Sequence, residues 1–161
     1  MNTIDVEALL SAMIGPSMQV LFKMAGLKAE LGTVEKRYTA IVSDGLTTVL
    51  GITGQCKGRF LLNMSLETAR AIAQRINQEE FEYIDDTVLY SITELTNIVS
   101  GKIITLINDM FKEYKLRLTP PGVFCGQGIE ITSPSFQALS VILNTEVGSI
   151  DINIGLEGVK F

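Results

Sequence analysis

The stretch Asp85-Asp-Thr-Val-Leu-Tyr-Ser-Ile-Thr-Glu-Leu-Thr-Asn-Ile-Val-Ser-Gly-Lys-Ile-Ile-Thr-Leu-Ile-Asn-Asp-Met110 decides how this chain is built. It is rich in Ile, Val and Thr, whose stiff branched side chains favour strands. Yet no apolar–polar alternation holds across it. Val88, Leu89, Ile92, Leu95, Val99, Ile103, Leu106, Ile107 and Met110 instead share one stripe of helical period. The spacing therefore predicts a long mid-chain helix. It is entered through the acidic residues 79–86 and ends near Tyr114, with carboxylates at its positive end and Lys112 and Lys115 at its negative end.

Working outward, residues 5–25 read as a first helix stopped by Gly26, with Pro16 expected to kink it or to start a second segment. Residues 28–43 are extended. Asp44-Gly45 is a turn signal before a strand over 46–53, and a glycine-rich turn over 54–58 leads to 59–64, with Phe60, Leu62 and Met64 on one face. Ser65 is placed to cap a helix running to about Asn77, with Thr68 where a capping-box Glu would sit. Beyond the long helix, Thr119-Pro-Pro-Gly122 opens further extended segments. Residues 135–144 and 149–156 predict a hairpin, with Ile150, Ile152 and Ile154 alternating. A weak repeat is present as well. Gly58-Arg-Phe-Leu-Leu-Asn-Met-Ser-Leu-Glu67 lines up with Gly148-Ser-Ile-Asp-Ile-Asn-Ile-Gly-Leu-Glu157, and setting Gly15 on Gly101 places Ala8 on Glu94 and Ser11 on Asn97. A real duplication would give two helix-plus-strands halves.

The 161 residues fit a single domain, 1–161, and at 47% hydrophobic they can fill a sizeable core. Apolar runs are interrupted by polar residues before they reach bilayer length, and the N-terminal residues lack a basic region followed by an apolar one. No membrane insertion and a cytoplasmic location are therefore expected. A net charge of −5 with scattered Lys and Arg argues against nucleic acid. Cys56 and Cys125 are expected to stay thiols. The chain has no histidine, which removes Ser-His-Asp triads, His-activated cysteines and His-containing zinc sites. Chemistry must come from carboxylates, amides, hydroxyls, lysines or a borrowed cofactor, and no metal site is expected. The glycines at 51, 54 and 58 lack the Lys-Ser/Thr of a P-loop and read as strand turns.

One constellation remains. At roughly 100° per residue, Gly101 sits about 20° and Asn97 about 60° from Glu94. Thr87, Ser91, Thr105 and Asn108 share that sector, opposite the apolar stripe, and Ile98 is its apolar exception. Glu and Asn at i, i+3 usually do no more than solvate a surface. Gly101 changes the weight, because glycine costs roughly 1 kcal/mol in a helix interior relative to alanine. Close approach by another chain would justify it there.

Glu94-x-x-Asn97-x-x-x-Gly101 on a long mid-chain helix resembles the signature of the CheC/CheX-type chemotaxis phosphatases, closest to the single-site CheX branch. Phe22-Lys-Met-Ala-Gly26, Gly51-Ile-Thr-Gly54, Gly58-Arg-Phe-Leu-Leu-Asn-Met-Ser65 and Thr119-Pro-Pro-Gly122 follow in the expected order, so the resemblance covers nearly the whole chain. It implies an α+β, pseudo-duplicated fold: a mainly antiparallel sheet packed by long helices. CheC-like relatives carry a second Glu/Asn pair on the first helix, where this chain has Ala8 and Ser11, so one site is implied. The implied activity is hydrolysis of the aspartyl phosphate on a CheY-like response regulator. Asn97 would orient the attacking water, Glu94 would dock the partner's lysine, and Gly101, Ile98 and Ser91 would face the partner. Mg2+ would come on the regulator rather than on this chain. The resemblance further implies a homodimer, expected to form through exposed strand edges near residues 136–143. A non-catalytic regulator-binding or flagellar-switch-like module is the alternative.

Overall fold

The long segment is a helix. In the computed structural model, which describes residues 4–38, 41–131 and 137–161, α3 runs over Asp86–Met110. Its β-branched and hydroxyl residues are accommodated by bonds within the helix itself. The hydroxyls of Ser91, Thr93, Thr96 and Thr105 donate to the carbonyls of Thr87, Leu89, Ile92 and Gly101, four residues back, at 2.7–2.8 Å. The Asp85 carboxylate caps the start by accepting from the Val88 N–H at 2.9 Å. The end comes earlier than predicted. The chain leaves the helix at Phe111, so Lys112 and Lys115 lie beyond the last turn. The Asn108 side chain holds the return, accepting from the Leu116 N–H at 2.7 Å and donating to its carbonyl at 2.9 Å.

The other helices are α1 (Val6–Ala25) and α2 (Leu66–Asn77). Asp5 caps α1, and Gly26 stops it in the left-handed conformation with φ 62°. Pro16 lies inside α1, which continues through it as one helix and does not start a second segment there. The Ser17 hydroxyl next to it donates to the Met13 carbonyl at 2.5 Å. By length and composition α1 would suffice to cross a membrane, which its scattered polar residues disguise. Here its apolar side turns into the core, burying Leu9, Met13, Val20 and Leu21. Ser65 caps α2 as predicted, accepting from the Thr68 N–H at 3.1 Å.

Among the described residues the strands are β1 (Glu30–Arg37), β2 (Ile41–Val42), β3 (Gly45–Thr53), β4 (Gly58–Ser65), β5 (Arg117–Leu118), β6 (Gly122–Cys125), β7 (Glu130–Ile131), β8 (Ala138–Thr145) and β9 (Gly148–Leu156). They form a seven-stranded antiparallel sheet ordered β1-β8-β9-β4-β3-β5, with β6 also on β3, and a separate β2–β7 pair. Gly54, at φ 131°, turns β3 into β4 where a Cβ would strike the Lys115 carbonyl. Gly51 is no turn but lies within β3 opposite Arg59.

The repeat has a structural meaning. Its two copies are β4 and β9, which pair antiparallel at the centre of the sheet, Gly58 opposite Leu156 through Met64 opposite Ile150. The hairpins β3–β4 and β8–β9 flank that centre, and each receives an outer strand from the other half of the chain. Their alternating apolar residues (Phe60, Leu62 and Met64; Ile150, Ile152 and Ile154) share one core with all three helices. The opposite face of the sheet buries polar side chains, among them Thr47, Asn63, Ser140, Asp151 and Asn153. The predicted dimer edge is revised by this order. β8 lies between β1 and β9, so residues 138–143 are interior, while Phe136 is outside the described residues. Among the described residues the sheet's outer strands are β1 on one side and β5 and β6 on the other.

Candidate functional site

Glu94 and Asn97 both project from α3 into solvent, separated by about 4.5 Å along the axis at 1.5 Å per residue. What lies beneath them explains why they can be held accurately. Thr96, fully buried on the opposite side of the same turn, hydrogen-bonds Thr48 of β3 through the two hydroxyls at 2.7 Å. The Ser100 hydroxyl donates to the Asn97 carbonyl at 3.2 Å. Thus the exposed pair stands on a turn of helix pinned to the sheet, the kind of rigid support an orienting group needs.

The remaining predicted residues divide. Gly101 is half-buried, and a Cβ built on it meets nothing within 4 Å. No intramolecular contact therefore requires glycine there. Ile98 is half-buried and packs partly against the core. Ser91 does not belong to the exposed face: it is 8% exposed, and its hydroxyl accepts from the Asn77 amide of α2 at 2.7 Å while donating to the Thr87 carbonyl. It ties α2 to α3. The helical angle alone placed it in the polar sector because the position of α2 could not be known from that angle. Thr87 and Thr105 are exposed, whereas Asn108 serves the chain return. Tyr90, 73% exposed one turn before Glu94, lies on the same face and escaped the sequence reading.

Neither Glu94 nor Asn97 lines any of five cavities in the surface. The largest, about 500 Å³, lies away from the pair, between the end of α1, the start of β1 and the β8–β9 turn. One of these five, of about 350 Å³ between α1 and α3, touches the face, through Gly101 and Thr105. A protruding carboxylate and amide with no enclosing walls suit a macromolecular partner that brings its own cleft, not a small molecule. Among the described residues there is no group of three or more His, Cys, Asp or Glu side chains placed to hold a metal ion. Cys56 is buried, its thiol donating to the Glu157 carbonyl at 3.0 Å, and burial raises its pKa. Cys125 is exposed, and both are free thiols. Neither is near the pair in sequence.

Comparison with known proteins gives a consistent result. The family model described as chemotaxis phosphatase CheX matches residues 46–144, a span that contains all of α3. The CheY-P phosphatase CheX of Thermotoga maritima is 27% identical over 126 residues, covering 78% of this chain and 80% of that protein. Among solved structures, CheX in the CheX–CheY–BeF3–Mg2+ complex from Borrelia burgdorferi superposes with a TM-score of 0.78 at 26% identity, covering 94% of this chain and 96% of that one. A putative chemotaxis protein from Desulfovibrio vulgaris Hildenborough superposes with a TM-score of 0.86 at 20% identity, covering 97% and 100%, and supports the fold. With the antiparallel sheet, the long central helix and the matched segment all in agreement, the chain belongs to the CheX family of chemotaxis phosphatases.

Proposed function

We propose that the chain hydrolyses the aspartyl phosphate of a CheY-like response regulator, with Asn97 orienting the attacking water and Glu94 docking a lysine beside the partner's phosphorylation site. One observation carries the reading: Glu94 and Asn97 are exposed together on a turn of α3 that is fixed to the sheet from below. The named activity of the Thermotoga relative and the partner in the Borrelia complex support it.

The chemistry fits the residues available. An acyl phosphate is already reactive, and what its hydrolysis lacks is a water held in line with phosphorus. The Asn97 carboxamide can accept from that water through its oxygen and donate to it through its NH2, without titrating near neutral pH. As water adds to phosphorus, the bond from phosphorus to the aspartyl oxygen breaks. The partner's aspartate leaves as carboxylate, and inorganic phosphate departs with the water's oxygen. Mg2+, carried by the regulator, would neutralise the phosphoryl oxygens. Gly101 leaves room for the partner's loops. Ser91 contributes from beneath by fixing α3 against α2. Two copies would associate through β1, whose outer side has no paired strand among the described residues and whose Leu31 and Val34 are exposed.

The test is to phosphorylate receivers from the same genome and follow phosphate loss with Mg2+ present. Wild type should accelerate loss from its partner. Asn97→Ala should lose roughly 10²–10³-fold, the scale of one preorganised polar group in a transition state, while still binding. Glu94→Ala should act mainly through weaker binding. Decay of every receiver at its own rate would remove the enzymatic reading, and binding without faster decay would establish an interaction module instead.

A further inference from the structure

The cavity that touches the candidate face is bounded by Pro16 and Gln19 of α1 and by Gly101, Lys102, Thr105 and Leu106 of α3. At about 350 Å³ it is far larger than one water requires and stands at the small end of ligand-binding clefts, near 300 Å³. Its walls are chiefly hydrocarbon: the Pro16 ring, the Leu106 side chain, which is 40% exposed, and the stem of Lys102. Gly101 belongs to both the face and the cleft, and its missing Cβ leaves their junction open. Resting on the function proposed above, we infer that this α1–α3 cleft seats one apolar side chain of the same receiver, beside the phosphorylation site that Glu94 and Asn97 address, and thereby selects which receivers dock.

Two observations favour the receiver over other occupants. The first is continuity: a chain lying over Glu94, Asn97 and Gly101 arrives at the cleft mouth within one further turn of α3. The second is charge. Lys102 is exposed at the rim and has no ion pair among the described residues. It stands eight residues from Glu94, about 12 Å along the helix axis. A receiver that sets its lysine on Glu94 and a separate acidic residue on Lys102 meets the opposite sign at both points, which fixes its orientation. The buried apolar anchor supplies residence time, as small central pockets do at protein interfaces.

The test uses the full chain and its partner receiver in the BeF3-activated and phosphorylated forms. Gln19→Trp fills the cleft from an exposed position on α1, away from Glu94 and Asn97. Leu106→Ser removes an apolar wall. Each should weaken receiver binding and raise KM about tenfold, with kcat at saturation within about twofold of wild type. Truncating the occupying receiver side chain to Ala should cost about tenfold against wild type and little against Gln19→Trp, the coupling expected of direct contact. Unchanged affinity in both cleft variants would overturn the inference. So would a change in self-association without a change in receiver binding, which would assign the cleft to a second copy of this chain. If wild type binds the receiver without accelerating decay, the phosphatase reading fails and the affinities still decide the cleft. If it binds no receiver, both fail.

Discussion

At the residue scale, the site rests on side chains that are unremarkable in isolation. Glu94 and Asn97 acquire meaning from their neighbours, and Gly101 is the most telling of these. A helix-interior glycine whose added Cβ would touch nothing has no reason to exist within the folded chain. Gly101→Ala is therefore expected to stabilise the isolated protein by about 1 kcal/mol and to raise Tm by roughly 2–4 °C. At the same time it should weaken receiver binding. Thermal unfolding and receiver titration measure the two effects separately, and a more stable variant with undiminished affinity would show that nothing approaches this backbone closely.

At the element scale, α3 shows how a strand-prone composition is retained as helix. Its hydroxyls bond backward along the helix, and the buried Thr96–Thr48 contact holds it to β3. On the far face of the sheet a second linkage joins β1, β8 and β9. Asp151 accepts a short hydrogen bond from the Ser140 hydroxyl, and its other oxygen lies 3.6 Å from the Arg37 guanidinium, which also reaches Glu35 at 3.1 Å. Burial pushes the Asp151 carboxyl above the usual carboxylate range. Ser140 and Arg37 pull it down, whereas Asp44 and Glu35 push it up. The folded protein thus holds this proton more tightly than the unfolded chain does. Its stabilising contribution is full below the unfolded value near about pH 4 and is lost as pH rises through the higher folded value. Urea unfolding of wild type and Asp151→Asn from about pH 4 to about pH 7 should show the stability of wild type relative to the variant falling with pH. A constant difference would refute this account.

At the scale of the whole molecule, the two halves exchange outer strands around the central β4–β9 pair, leaving β1 as a free edge. An edge with exposed Leu31 and Val34 predicts self-association. Sedimentation should find a dimer that Leu31→Lys combined with Val34→Lys dissociates, with receiver dephosphorylation per chain retained; a dimer indifferent to both substitutions would place the interface elsewhere. How much of this was legible beforehand follows from the range of each interaction. Helical period, caps, turn glycines and the β4/β9 repeat are local patterns, so the sequence by itself determined the three helices, most strand positions, the absence of histidine chemistry and the candidacy of Glu94 and Asn97. Where α3 stops, why Ser91 is buried, that β8 is interior and that a cleft opens between Gly101 and α1 were decided only by the tertiary structure. Each depends on which distant segment packs alongside: the Asn108–Leu116 return, Asn77 of α2, strand β1, and Pro16 and Gln19 of α1. No local period encodes those neighbours, because they are brought together by burying a shared apolar core.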